Sequence, residues 1–298
     1  MQIKGVYTPV ITIMDEQGKI DFPHMEQHIE HLTAAGINGL LFFGSLGEFY
    51  AFSKEEKKQL IDFAVKVVRH RTQVIIGVGG TSLADVMELA DYAAKAGADA
   101  INIVSPYYFG PNEASAIEYF GSIAEKVSLP IQLYNFPDRV GADLTPHVIR
   151  TLAEKHPNII GVKDTVDNIS HTRQVIAAVK EVRPDFSVVS GFDEYYLVNR
   201  VSGGDGVLCG LTNVVPELFV AYHRAYEAKD FAAAEASAKK VSKLMRLYAV
   251  TGLFVVAIKA AVKAQGLAIS TYTRAPGLPI TEAEYAKVKE ILADSLAE

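Results

Sequence analysis

The chain has a single cysteine, Cys209, among its 298 residues. It cannot close an internal disulfide, and a reducing compartment is expected. Basic charge is also short: Lys and Arg number 29 against 35 Asp and Glu, a formal net charge of −6. Without a basic face there is nothing to gather nucleic-acid phosphates or anionic lipid, so neither partner is expected. Apolar runs are brief. The longest, such as residues 37–44 and 252–258, fall far short of the roughly 20 residues that span a bilayer. The opening MQIKGVYTPV holds no long apolar stretch, so a secretory leader is not expected and a cytoplasmic location is.

What the chain does have is apolar bulk and a repeating pattern. Hydrophobic residues make up 49% of it, enough for one large core, and α/β barrels often reach this length as one domain. Short β-branched runs fall at residues 5–10, 39–43, 74–77, 100–104, 131–134, 159–163, 187–190 and 206–209, each followed by a turn and a helical pattern. Their starts lie about 20 to 35 residues apart, which suits a strand, a crossover helix and a return. Most are apolar throughout rather than alternating, as in strands covered on both faces. Met25, Ile29 and Leu32 recur at helical spacing before Gly36, a natural C-cap, and Ser53 with Glu56 forms a capping box. Beyond Cys209 the strand signal stops, and residues 216–265 and 281–296 are rich in Ala, Lys and Glu with helical period. The pattern predicts a (β/α)8 TIM barrel over residues 1–224 and a small C-terminal helical domain over 225–298.

In such a barrel, functional groups collect where strands end and βα loops begin. Lys163 stands out there because it closes the apolar run Ile159-Ile160-Gly161-Val162. Burial strips hydration from an ammonium and favours the neutral amine, the form that attacks carbonyls. On spacing alone, the more ordinary reading is a strand-end lysine paired with Asp164 or a neighbouring strand's carboxylate. Tyr134 ends the adjacent strand, where a phenol can relay protons or simply line the rim. Gly44-Ser45-Leu46-Gly47 presents backbone N–H groups in a tight turn, which can nest an anion such as a carboxylate. Neither it nor Gly77-Val78-Gly79-Gly80-Thr81 follows the G-x-G-x-x-G or P-loop pattern. His24, His28 and His31 share one helical stripe at a spacing that can bind zinc. That stripe adjoins the core stripe of the first helix, on the outer ring and away from the strand ends, so no metal is expected there.

Taken together, these strand-end residues resemble the dihydrodipicolinate synthase/N-acetylneuraminate lyase family. The likeness rests on Gly44 to Glu48 as G-[ST]-x-G-E, on Pro106-Tyr107-Tyr108, on Tyr134-Asn135-Phe136-Pro137 as Y-N-x-P, and on Gly161-Val162-Lys163 as G-[IV]-K. These fall in order across essentially the whole chain. The resemblance implies a lyase or aldolase that holds pyruvate as an imine on Lys163, with Tyr134 handling protons. Ser45 and Tyr108 would complete the proton relay, that tyrosine coming from a neighbouring subunit. It further implies an active homotetramer built from dimers, small-molecule substrates, and no metal or organic cofactor. Leu46, Gly47, Thr165, Gly191 and Leu208 are expected around the substrate.

Within that family the substrate signals divide. Synthases that use aspartate semialdehyde usually read G-T-T-G-E and S-G-D-D, whereas here Leu46 replaces the second threonine and strand seven ends in Ser190-Gly191-Phe192-Asp193-Glu194. An aromatic followed by Asp193 and Glu194 is similar to lyases of sugar acids, where carboxylates bind hydroxyls. The Y-N-F-P and Lys163-Asp164-Thr165 sequences are similar to those of 2-keto-3-deoxy sugar acid aldolases. Against this, Arg139 falls where the synthases place an arginine for the aldehyde's carboxylate. A bidentate guanidinium suits a sugar acid's terminal carboxylate equally, and its ordinary role would be an ion pair with Asp138, Asp143 or Glu48. The expectation is a 2-keto-3-deoxy sugar acid aldolase, with 4-hydroxy-tetrahydrodipicolinate synthase as the alternative and a dehydratase as a further relative. A silent sensor that kept the pocket predicts a damaged lysine–tyrosine pair, and both residues are present. A phosphate-binding barrel favours a glycine-rich loop after strands seven and eight, but Gly203-Gly204 precedes strand eight.

Overall fold

Eight parallel strands pair in sequence order and close, β8 returning to β1. They are β1 (Gly5–Pro9), β2 (Gly39–Phe42), β3 (Gln73–Gly77), β4 (Ala100–Val104), β5 (Ile131–Asn135), β6 (Ile159–Asp164), β7 (Ser187–Ser190) and β8 (Gly206–Leu208). Each lies within one residue of the bounds expected from its apolar run. The structure is a computed structural model and describes residues 1–297. Side chains alternate along each strand. Ile76, Ile103, Leu133, Val162, Val188 and Val207 face outward into the large core beneath the helices. Tyr7, Leu41, Ile75, Ala100, Val189 and Leu208 face inward as a separate apolar cluster that fills the barrel.

The surrounding helices are α1 (Phe22–Ala35), α2 (Lys54–Val68), α3 (Leu83–Ala96), α4 (Glu113–Ala124), the single turn α5 (Pro137–Val140), α6 (Pro146–Lys155), α7 (Ile169–Val182), the short α8 (Tyr196–Val201) and α9 (Pro216–Glu227). Their starts are written in polar caps. Asp21 caps α1, Ser82 caps α3, Asn112 caps α4 and Thr145 caps α6, each accepting a backbone N–H three residues on. Ser53 and Glu56 form both halves of the capping box on α2, and Gly36 ends α1 in the left-handed conformation at φ 91°.

The C-terminal segment is helical: α10 (Phe231–Leu244), α11 (Phe254–Ala264) and α12 (Glu282–Leu296). The boundary expected at residue 224 falls inside α9, which runs on to Glu227. These last helices also share surface with the barrel. Residues Val255 to Val262 of α11 are all buried, and α11 packs on the turn that follows β8. No helix among the described residues is long and apolar enough to cross a membrane.

Candidate active site

Tyr134 and Lys163 stand directly opposite each other in the β5–β6 ladder, near the carboxyl ends of their strands. Both therefore point inward at the mouth of the barrel. Lys163 is only 4% exposed, and its Nζ lies 4.3 Å from the centroid of the Tyr134 ring. The Tyr134 hydroxyl is 3.2 Å from Ser45 Oγ on the β2–α2 loop. Asp164 does not pair with the lysine, because the alternation of the strand turns it outward. There it accepts from Thr172 Oγ1 at 2.6 Å and Asn135 Nδ2 at 3.1 Å. Among the described residues no carboxylate lies within ion-pair distance of Lys163. The amine faces open space instead.

That space is a cavity of about 280 Å³ lined, among others, by Ser45, Leu46, Tyr134, Arg139, Lys163, Thr165, Gly191, Asp193 and Leu208. Gly47, Tyr108 and Glu194, also expected at the site, are not in its wall. Gly47 sits behind the loop, its carbonyl accepting from Thr12 Oγ1 at 2.9 Å. The N–H groups of Ser45, Leu46 and Gly47 find no acceptor among the described residues, which leaves them free for an anion. Tyr108 is 89% exposed on the rim beside Phe109, at φ 77°. Asp193 is in the wall, but its oxygens are occupied. Oδ1 accepts from the Leu211 N–H at 2.8 Å and Oδ2 from the Tyr248 hydroxyl at 2.8 Å. Burial pushes its carboxyl above the usual range, against these donors. Glu194 is half-buried and likewise raised by burial.

Arg139 forms no ion pair among the described residues either. Its guanidinium lies 5.8 Å from the ring centroids of both Phe136 and Phe254, while Asp143 and Glu48 are engaged elsewhere, by Asn135 and by Lys259. Thr165 Oγ1 is buried without a partner among the described residues and faces the same cavity. Strand ends did not reveal three other wall residues, Met245, Tyr248 and Phe254. They come from the C-terminal segment, and no local pattern there marks them as facing a site.

The histidine stripe on α1 has separate employments. His24 Nδ1 is 2.7 Å from Asp21 Oδ2, and His31 Nδ1 is 3.8 Å from Glu217 Oε1. His28 is fully buried, its Nε2 3.0 Å from Asn213 Oδ1. That oxygen also accepts the Ile11 N–H, so the ring must be the donor. Burial lowers the His28 pKa to about 4. No group of three or more His, Cys, Asp or Glu among the described residues converges as a metal would need.

An unpaired lysine amine facing a small cavity in the mouth of a (β/α)8 barrel suits imine chemistry on a carbonyl substrate, and the family that the chain matches is one of pyruvate-dependent lyases of that kind. The chain belongs to the dihydrodipicolinate synthetase family, whose model matches residues 2–295. Two relatives come from Escherichia coli (strain K12). "Putative 2-dehydro-3-deoxy-D-gluconate aldolase YagE" is 38% identical over 288 residues, 97% of this chain and 95% of its own. "Probable 2-dehydro-3-deoxy-D-pentonate aldolase YjhH" is 37% identical over 291 residues, 98% of this chain and 97% of its own. The crystal structure of YagE in complex with pyruvate superposes with a TM-score of 0.97 at 38% identity, covering 98% of each chain.

Proposed function

We propose that the enzyme joins and cleaves pyruvate and a polyhydroxylated aldehyde, as a 2-keto-3-deoxy sugar acid aldolase with Lys163 as its nucleophile. The observation that carries this reading is the lysine in register with Tyr134, without a counter-charge, at the cavity wall. The neutral amine adds to the keto carbon of pyruvate, and the carbinolamine loses water to give an iminium. That iminium draws electrons from C3, so losing a C3 proton yields an enamine that attacks the aldehyde; reversal cleaves a 4-hydroxy-2-oxo acid. Ser45 and Tyr134, 3.2 Å apart, form the relay that takes and returns the protons. The open N–H groups of Ser45 and Leu46, both in the cavity wall, suit the pyruvate carboxylate.

The sugar-acid assignment is supported by the names of the two relatives and by the polar groups that face the cavity unspent. These are Thr165 Oγ1 and the Arg139 guanidinium, with the Tyr248 oxygen free to accept. Asp193 then acts as an anchor for Tyr248 and the β8 turn rather than as the main binder of hydroxyls. Tyr108, exposed on the rim, fits a role across an interface, donated to a neighbouring subunit of a homotetramer. A cytoplasmic location accords with the single buried cysteine.

Borohydride reduction in the presence of pyruvate should leave one 1-carboxyethyl group, the reduced pyruvate imine, on Lys163, and Lys163→Ala should abolish trapping. An unlabelled Lys163 sinks the imine reading. Offering pyruvate with glyceraldehyde, glycolaldehyde, N-acetylmannosamine and aspartate semialdehyde separately should give condensation with the hydroxylated aldehydes. Turnover of aspartate semialdehyde alone would overturn the sugar-acid assignment and leave the imine intact.

A further inference from the structure

Behind the Lys163–Tyr134 pair, on the outer face of the same strand ends, lies a second polar cluster. Asn135 follows Tyr134 on β5, Asp164 follows Lys163 on β6, and the two are again in register. The Asn135 amide donates from Nδ2 to Asp143 Oδ1 at 2.9 Å and to Asp164 Oδ1 at 3.1 Å, while its Oδ1 accepts the Leu144 N–H at 3.0 Å. One amide group thus ties together two carboxylates. His171, on α7, lies between them: Nδ1 is 3.2 Å from Asp164 Oδ2 and Nε2 is 3.3 Å from Asp143 Oδ2. The Nδ1 contact is a hydrogen bond, whereas Nε2 meets Asp143 at ion-pair distance outside hydrogen-bonding direction. The backbone completes the frame, with Thr165 N–H donating to the Asn135 carbonyl and Gly191 N–H to the Asp164 carbonyl, each at 2.8 Å.

We propose that His171 is a positioning residue for the Schiff-base reaction: as a cation bridging Asp164 and Asp143, it holds the β5 and β6 ends and so fixes the spacing of Lys163 and Tyr134. The proposal rests on the imine reading given above. Two anionic carboxylates gathered on one amide repel each other, and a single positive charge between them removes that strain. The elements packed here contribute no other charge at ion-pair distance of the ring: β5 gives Asn135, β6 gives Asp164, the β5–α6 connection gives Asp143, and α7 gives Thr172 beside His171. Burial favours the neutral imidazole, but Asp143 and Asp164 override it and raise the His171 pKa to about 10. Asp143 moves the opposite way, held below the usual carboxylate range by His171 and Asn135 in spite of its burial. The cation therefore persists across the neutral range.

The test compares the rate of pyruvate imine trapping in the wild type, His171→Gln and the double variant H171Q/D143N at neutral pH. His171→Gln leaves two carboxylates facing each other, and trapping should slow about tenfold or more, since small misplacements of reacting groups cost up to about a hundredfold. H171Q/D143N removes one of those charges and should recover most of the lost rate. A packing role for His171 predicts no recovery, because Asp143→Asn adds no packing, and that result would overturn the proposal. So would H171Q trapping at the wild-type rate. Side-chain nitrogen NMR of the unsubstituted protein at pH 8 should show His171 as a doubly protonated ring, and a neutral ring overturns the proposal even if H171Q fails to fold. Absent trapping in the wild type would instead bring down the imine reading itself.

Discussion

At the scale of a residue, the site is fitted to fractions of an ångström. A Cβ on Gly191 would stand 1.8 Å from Thr165 Oγ1 and 3.2 Å from Lys163 Cε. Thr165, met at Cβ as well at 2.8 Å, cannot retreat without its backbone, whereas the long Lys163 side chain gives way into the cavity and carries the amine with it. Gly191→Ala should therefore fold yet displace the amine, slowing imine formation by about tenfold or more. Borohydride trapping measures it, and a variant that traps as fast as the wild type would show that the lysine needs no such fit. Residues of this kind differ in how far a sequence discloses them. Lys163, Tyr134 and Ser45 were legible because strand ends are few and each closes an apolar run or opens a turn. Asp193 was legible as a residue of the site but not in its orientation, because its partners Leu211 and Tyr248 lie 18 and 55 residues further along. His171 gave no signal at all: a histidine in the first turn of a surface helix looks ordinary until two carboxylates from other elements close on it.

At the scale of elements, the eight strands were readable because parallel strands are covered on both faces and show as uninterrupted apolar runs. The C-terminal helices were readable as helices, but the surfaces they cover were not, since amphipathic period says which face is buried and not against what. The join between loop and helix shows this. Lys259 on α11 and Glu48 on the β2–α2 loop form an ion pair of 2.6 Å with both side chains wholly buried, across 211 residues of sequence. Lys259 Nζ also donates to the Tyr272 carbonyl at 2.7 Å, and Glu48 Oε2 accepts the Arg274 N–H at 2.9 Å. The glutamate that ends the G-S-L-G-E motif thus holds the β2–α2 loop to the C-terminal segment. Removing one partner strands a buried charge, so Lys259→Ala should cost about 3–5 kcal/mol of stability. Lys259→Met with Glu48→Gln should cost less, because no lone charge remains. Guanidinium unfolding decides the matter: a K259A loss under about 1 kcal/mol would mean that the pair does not tie loop to helix.

At the scale of the whole molecule, two histidines, one buried and one partly buried, pull stability in opposite directions with pH. The folded-state pKa of His28 is lowered from 6.5 to about 4 by burial. Its contribution is fully present above pH 6.5 and is lost as pH falls towards 4, by about 3 kcal/mol for a shift of that size. His171 has the reverse sign. Burial would lower it, but Asp143 and Asp164 raise it from 6.5 to about 10, so its contribution is fully present below pH 6.5 and drains away as pH rises through 10. Between them the two groups place the stability maximum near pH 6.5, with a loss on either side that belongs to a different region: the α1 contact with the β8 turn on the acid side, and the β5–β6 ends on the alkaline side. Guanidinium titrations at intervals from pH 4 to pH 10 should trace that maximum. In His171→Gln the alkaline decline should flatten while the acid limb stays. Stability that climbs steadily from pH 6.5 to pH 9 in the wild type would mean that His171 is not held as a cation between Asp143 and Asp164.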